Sequence, residues 1–157
     1  MTLDASTLVC QGFSAPLKWA DFKLAAFDMD STLINIECID EIAAVAGKKA
    51  EVAAITEAAM RGEIKDFRDS LQRRLALLQG VPASALQEVL DTRLQFNPGA
   101  EVLIATLRAR GIKTLLVSGG FTFFADYVQQ RLQMDFARAN ALELVDDKLT
   151  GKVLQQS

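Results

Sequence analysis

The 157 residues include no histidine and only two cysteines, Cys10 and Cys38. The first absence removes the Ser-His-Asp triad, the Cys-His pair and every histidine-ligated metal site together. The second, with no CxxC spacing, excludes a disulfide framework and a thiolate zinc site, and it fits a reducing cytoplasm. No stretch of roughly 18 apolar residues, the length of a membrane span, occurs. The N-terminal MTLDASTLVCQGF also lacks a basic segment ahead of an apolar one, so no leader or anchor is expected. Lys and Arg number 17 against 20 Asp and Glu, a net charge of −3, and no basic run is present. Neither nucleic acid nor a membrane surface is therefore the expected partner. Chemistry here has to use carboxylates, hydroxyls, Lys, Arg or a hard metal ion, on a small molecule.

What is present is apolar residues in quantity, 50% of the chain, enough for one domain with room for a small insertion. Residues 1–21, broken by Gly12 and Pro16, read as an irregular arm. Residues 23–27 form a short apolar run that predicts a strand buried on both faces. Helical spacing then takes over. Ile39, Ile42, Ala43 and Ala46 precede Gly47; Val52, Ile55 and Ala59 precede Gly62; Phe67, Leu71, Leu75 and Leu78 precede Gly80, each glycine placed as a helix stop. A fourth helix is expected from Ser84, with Gln87 at capping-box spacing and Leu86, Val89 and Leu90 on its apolar face. Asn97-Pro98 predicts a helix with Pro at its first position, carrying Ala100, Leu103, Ile104 and Leu107 up to Gly111. A second buried strand at 113–117 ends in Ser118-Gly119-Gly120. A helix carrying Phe121, Phe124, Ala125, Val128 and Leu132 follows, then a hairpin over 140–154 around Asp146-Asp147. Strand, inserted helices, helix, strand, helix is the pattern of an α/β, doubly wound parallel sheet.

In such sheets ligands bind beyond the carboxyl ends of the strands, which places DMDST (Asp28 to Thr32) and SGG on one edge. The glycine amides and the Ser118 hydroxyl suit an anion, whereas Asp28 and Asp30 would repel it unless a cation intervened. Mg²⁺ is the hard ion that suits carboxylate and phosphate oxygens together. One carboxylate can attack phosphorus, and a second can protonate the leaving oxygen. Each group also has an ordinary reading, as a strand-end turn, a helix cap or a strand-to-helix turn. Phe67, Phe121, Phe123 and Phe124 read as packing residues, and Cys10, Cys38 and Trp19 as structural.

The DxDxT at Asp28, Asp30 and Thr32, with a Ser-Gly-Gly strand end roughly ninety residues on, resembles the haloacid dehalogenase superfamily of phosphatases. The longer strings DMDSTLINIECIDEIA, MRGEIKDFRDSLQRRLALLQG and LLVSGGFTFF are similar to its phosphoserine phosphatases. The resemblance implies a Rossmann-like core over residues 1–34 and 97–157, partial at its C-terminal side, with a helical-bundle cap over residues 35–96. It implies a Mg²⁺-dependent phosphomonoester hydrolase of serine biosynthesis, acting in the cytoplasm. Asp28 would be nucleophile and metal ligand, and Asp30 general acid and base, also giving its backbone carbonyl to the metal. Ser118 and Gly119 would hold phosphoryl oxygens. Glu37 would pair with the substrate ammonium, Arg74 would fork its carboxylate, and Phe67 would help close the lid. Glu37 as a first-turn acid and Arg74 as a solvated side chain remain the alternatives.

The superfamily also uses a lysine and a further metal-binding aspartate, both expected beyond the hairpin, where this sequence stops at Ser157. The 157-residue polypeptide is therefore expected to turn over little by itself, and to expose a sheet edge and an apolar face through which it could pair with a second copy. Two alternatives stay open. One is another small-metabolite phosphatase or a phosphotransferase; the other is a non-catalytic relative that binds a ligand or protein.

Overall fold

The apolar runs Leu24–Phe27 (β1) and Lys113–Phe121 (β2) pair in parallel in the computed structural model, which describes Gly12 and residues 17–154. A third strand, Phe136–Asn140 (β3), adds in parallel to the other side of β2, so the sheet order is β1-β2-β3. Its sequence, FARAN, has none of the continuous apolar character of Leu115-Leu116-Val117 in β2, and no strand is expected there. Ala25 and Phe27 lie in register with Thr114 and Leu116, and Thr114, Leu116 and Ser118 alternate as the buried positions of β2.

β1 is not buried on both faces. Among the described residues it lies at the edge of the sheet, paired with β2 alone, and the outward positions Leu24, Val117 and Phe136 are each 49% exposed. The sheet thus carries one packed and one half-open face among the described residues. The arm expected over residues 1–21 lies outside the described residues up to position 16, Gly12 excepted, as does Cys10. Its last part is a single 3-10 turn, Trp19–Asp21, whose Trp19 ring stacks under the Arg110 guanidinium at 4.5 Å.

Four helices follow β1: Cys38–Val45 (α1), Lys49–Met60 (α2), Phe67–Leu77 (α3) and Ser84–Thr92 (α4). They bury Ile42, Val52, Leu75, Leu86 and Val89 against one another. Arg93 reaches back from the end of α4 to Glu41 of α1 at 2.6 Å. The capping box at Ser84 does not form. The helix is entered from Ala83, Ser84 is already its first residue, and Gln87 donates instead to Asp91 on the outer face.

Two linkers join this bundle to the sheet. Ile34 bridges Phe96 in antiparallel fashion, Asn35 and Gln95 exchange hydrogen bonds, and Asn97 Nδ2 donates to the carbonyls of Thr32 and Ile34 at 2.8 and 3.0 Å. With its amide also on Leu33, Asn97 is tied into the linker, so the next helix cannot start at Pro98. It begins two residues later, Ala100–Ala109 (α5), after Gly99 takes the left-handed φ of 88° that a Cβ would oppose.

β2 runs through the Ser-Gly-Gly segment to Phe121, with its pairing to β3 interrupted between Val117 and Phe121. Thr122–Leu132 (α6) then returns along the sheet, burying Phe124, Ala125 and Val128. Phe121 and Phe124 are core residues as expected, whereas Phe123 is 37% exposed. The C-terminal hairpin, Leu142–Val145 (β4) with Lys148–Val153 (β5), turns through Asp146 and Asp147 at φ 49° and 57°, the twist a two-residue hairpin requires. It docks on the bundle: Gly80 N donates to Leu149 O, Leu149 N to Val81 O and Ala83 N to Asp147 O, each at 2.8 Å.

Candidate active site

Asp28 leaves the end of β1, and the next residues fold tightly over it. Met29 O accepts the amides of Thr32, Leu33 and Ile34, while Met29 itself is fully buried. This pins the loop so that Asp28 stays exposed and Asp30 turns partly inward. Asp28 Oδ1 accepts the Met29 amide at 2.7 Å, and its other oxygen takes no protein hydrogen bond among the described residues. Asp30 is held by Cys38: the amide donates to Oδ2 at 3.0 Å and the thiol to Oδ1 at 3.3 Å. Burial pushes the Asp30 carboxyl above its ordinary value. The two Cys38 bonds pull the other way, and the charges of Glu37 and Asp28 add to the rise.

β2 brings the anion-binding side. Ser118 is buried, and its hydroxyl accepts the Gly120 amide at 2.9 Å. Gly120 has to be small, because a Cβ there would stand 3.0 Å from Ser118 Oγ, 3.1 Å from Met29 Cε and 3.5 Å from Asp30 Oδ1. Asn140 of β3 donates to Gly119 O at 2.8 Å, fixing that peptide from the far side.

The bundle supplies the remaining wall. Glu37 stands at the entry of α1 without capping it; its Oε1 accepts the Ser31 hydroxyl at 2.6 Å, with Ser31 in the left-handed region at φ 53°. Phe67, the first residue of α3, is 61% exposed and extends its ring tip over Gly119, so it is not a packing residue. The two adjacent arginines of α3 differ. Arg73 is paired with Asp69 at 2.8 Å, whereas Arg74 has no carboxylate within 4.0 Å among the described residues and faces the cleft, its Nε reaching only Ser70 O at 3.4 Å. Near it Asp40 carries a buried Oδ1 without a partner among the described residues; burial pushes this carboxyl up and Arg74 pulls it down.

Asp28, Asp30, Glu37, Phe67, Arg74, Ser118 and Gly119 thus line one cleft of ≈ 180 Å³, closed by Ile39 and Leu71. Sites for drug-sized ligands measure roughly 300–1,000 Å³, so this one suits a small metabolite. Each residue given a catalytic or binding role in the sequence lines it, whereas Thr32 of the DxDxT motif does not. Sequence reasoning missed Ser31, Cys38 and Asp40. A hydroxyl directly after the second acid was a signal for Ser31; nothing in the spacing marked the other two.

The sequence model of the haloacid dehalogenase-like hydrolases matches residues 22–157. The chain belongs to that hydrolase family. It is 57% identical over 155 residues to a phosphoserine phosphatase of Albidiferax ferrireducens, covering 99% of this chain and 65% of that protein. With one of Polaromonas sp. it shares 58% over 149 residues, covering 95% and 63%. A substrate-bound phosphoserine phosphatase structure superposes with a TM-score of 0.78 at 42% identity, over 84% of this chain and 62% of that one. An unliganded structure of a probable phosphoserine phosphatase from Vibrio cholerae gives 0.72 at 48%, over 85% and 41%. The chain spans less than two thirds of the length of these relatives. The parallel sheet with its helices is accordingly the Rossmann-like α/β fold of haloacid dehalogenase-like hydrolases. No described helix is long and apolar enough to cross a membrane.

Mg²⁺ can be tested against the donors. No described cluster gathers three or more acidic or cysteine side chains as a metal site. Yet Mg²⁺ typically takes only one or two carboxylates, filling its shell with water and phosphate. An exposed Asp28 with a free oxygen at a strand end, beside the Asp30 backbone, fits that demand.

Proposed function

We propose that this site hydrolyses the phosphomonoester of phosphoserine, giving serine and phosphate through an aspartyl-phosphate on Asp28, in a cytoplasmic protein of serine biosynthesis. The observation that carries the reading is the single cleft in which two strand-end acids and the Ser118-Gly119 cradle face Glu37, Arg74 and Phe67. One wall carries phosphoryl chemistry, and the other carries complementary charges for an amino acid. The likeness to phosphoserine phosphatases supports the same substrate. In this reading residues 35–96 are the specificity cap, and residues 1–34 and 97–157 belong to the catalytic core.

Asp28 attacks phosphorus as the bond to the serine oxygen breaks, and Asp30 delivers its proton to that oxygen. Asp30, now a carboxylate, takes a proton from water; the water oxygen attacks phosphorus and the Asp28 carboxylate leaves. The raised Asp30 suits a group that must carry a proton in one step and lose it in the other. Ser118 and the Gly119 amide hold phosphoryl oxygens, and a bound Mg²⁺, taken by Asp28 and the Asp30 carbonyl, would neutralise the charge between acids and phosphate. Glu37 receives the ammonium, and Arg74, without an acidic partner among the described residues, receives the carboxylate.

Titration calorimetry tests the substrate reading. Phosphoserine with Mg²⁺ should bind the chain, and phosphoethanolamine, which lacks the carboxylate, should bind more weakly. Equal affinity for the two would overturn the role of the cap wall. Hydrolysis of phosphoserine is measured on the protein as its gene encodes it, and should vanish in Asp28→Asn.

A further inference from the structure

The Asp30 carboxylate is bound by the bundle rather than by the sheet that delivers it. Both of its oxygens take donors from one residue, the Cys38 amide at 3.0 Å and the Cys38 thiol at 3.3 Å. Cys38 is the first residue of α1, whose opening amides have no partner within the helix. The side chain just before a helix normally accepts from the second or third of these amides. Here that residue, Glu37, makes no such bond and is held by Ser31. An acid eight residues upstream, on the strand-end loop, caps the helix instead. On its other side the carboxylate meets Gly120, where even one added carbon would lie 3.5 Å from Oδ1. It is therefore gripped between the end of β2 and the start of α1.

We propose that Cys38 is a positioning residue for proton transfer, its thiol completing a two-point hold that fixes the Asp30 carboxylate only when the cap is seated against the sheet. This rests on the reading of Asp30 as the proton donor. With the amide alone Asp30 keeps one bond and can turn about it; with the thiol as well, rotation breaks one of two bonds. Cys38 is fully buried, and its Sγ stands 3.3 Å from Asp30 Oδ1, within reach for a thiol to donate to a carboxylate oxygen. Because the donor belongs to α1, a shift of that helix from the sheet releases the acid.

The test compares leaving groups in the protein as its gene encodes it. Serine alkoxide needs a proton as it departs; p-nitrophenolate does not. In Cys38→Ala the ratio of kcat/KM on phosphoserine to kcat/KM on p-nitrophenyl phosphate, which reports formation of the aspartyl-phosphate and not the hydrolysis both substrates share, should fall about tenfold, part of the roughly 10²–10⁴-fold that a placed acid contributes. Cys38→Ser, which restores a donor, should recover most of the ratio. A parallel loss on both substrates, or an unchanged ratio, overturns the proposal. A double-mutant cycle of thermal midpoints over Cys38→Ala and Asp30→Asn gives a readout without turnover. Coupled shifts support the hold and additive shifts overturn it. Failure of the functional reading looks different, since phosphoserine would then not be hydrolysed by the unaltered protein at all.

Discussion

The two walls of the cleft are held in different ways. On the sheet side, functional groups lean on nearby backbone: Asp28 on the Met29 amide at 2.7 Å, Ser118 on the Gly120 amide at 2.9 Å, and the Gly119 carbonyl on Asn140 at 2.8 Å. On the bundle side they lean on little. Glu37 has one serine hydroxyl, Arg74 one long contact to Ser70 O at 3.4 Å, and Phe67 extends into the opening. Groups that perform bond-making need fixed distances, and a strand end supplies them. Groups that recognise the rest of a substrate can close on it, and a helical wall on two linkers permits that. Chemistry and selectivity should therefore be separable by substitution.

The largest effect should come from the sheet side. Asp28→Asn removes the nucleophile and should cut hydrolysis by at least about 10⁴-fold while leaving the circular dichroism spectrum unchanged. Survival of more activity than that would mean the strand-end acid is not the attacking group. On the bundle side, Arg74→Ala should raise KM for phosphoserine by roughly 10- to 100-fold, the worth of charge-assisted hydrogen bonds, and affect phosphoethanolamine far less. Equal losses on both esters would erase the difference between the walls.

Two smaller effects concern what keeps the walls together. Gly151 of β5 sits at φ 82°, and a Cβ would approach Leu75 O to 3.1 Å and Ala76 Cα to 3.2 Å on α3. Gly151→Ala should destabilise the protein by about 1–3 kcal/mol in urea melts, because both the backbone region and the helix contact oppose it. On the sheet, Asp135 accepts Lys113 Nζ at 2.6 Å, the Thr114 amide at 2.9 Å and the Thr114 hydroxyl at 3.1 Å. The bond from Lys113 is the main cause that brings its carboxyl down to about 2 from 3.8. A depressed carboxylate stabilises the fold above its unfolded value and loses that contribution as pH falls from about 4 towards 2. Asp135→Asn should flatten the fall in urea midpoint between pH 5 and pH 3, approximate limits set by that titration.

The elements were legible where one residue type repeats at one spacing. The apolar positions of α1 to α4 apart from Phe67, the glycines after α1, α2 and α3 and the turn at Asp146-Asp147 all follow from local geometry, and the structure places them as read. The mistaken details share a cause. Ser84 and Asn97 carry side chains that favour caps, but the start of each helix depended on something outside the local pattern: the entry at Ala83 in one case, and bonds from Asn97 to Thr32 and Ile34 in the other. Phe67 carried two readings, packing and lid, and its place at the first turn of α3, 61% exposed, rules out the packing one.

By itself the sequence determined that two acids end a strand and that a Ser-Gly-Gly end lies on the same edge, since chain direction in a parallel sheet leaves no other placement. Tertiary structure decided the partners of those groups. Only packing brings Arg74 beside Asp40, seats Asn140 on Gly119 and turns Cys38 onto Asp30. Periodicity encodes which face of an element is buried, whereas a hydrogen bond between elements depends on how whole faces meet, and no local spacing records that.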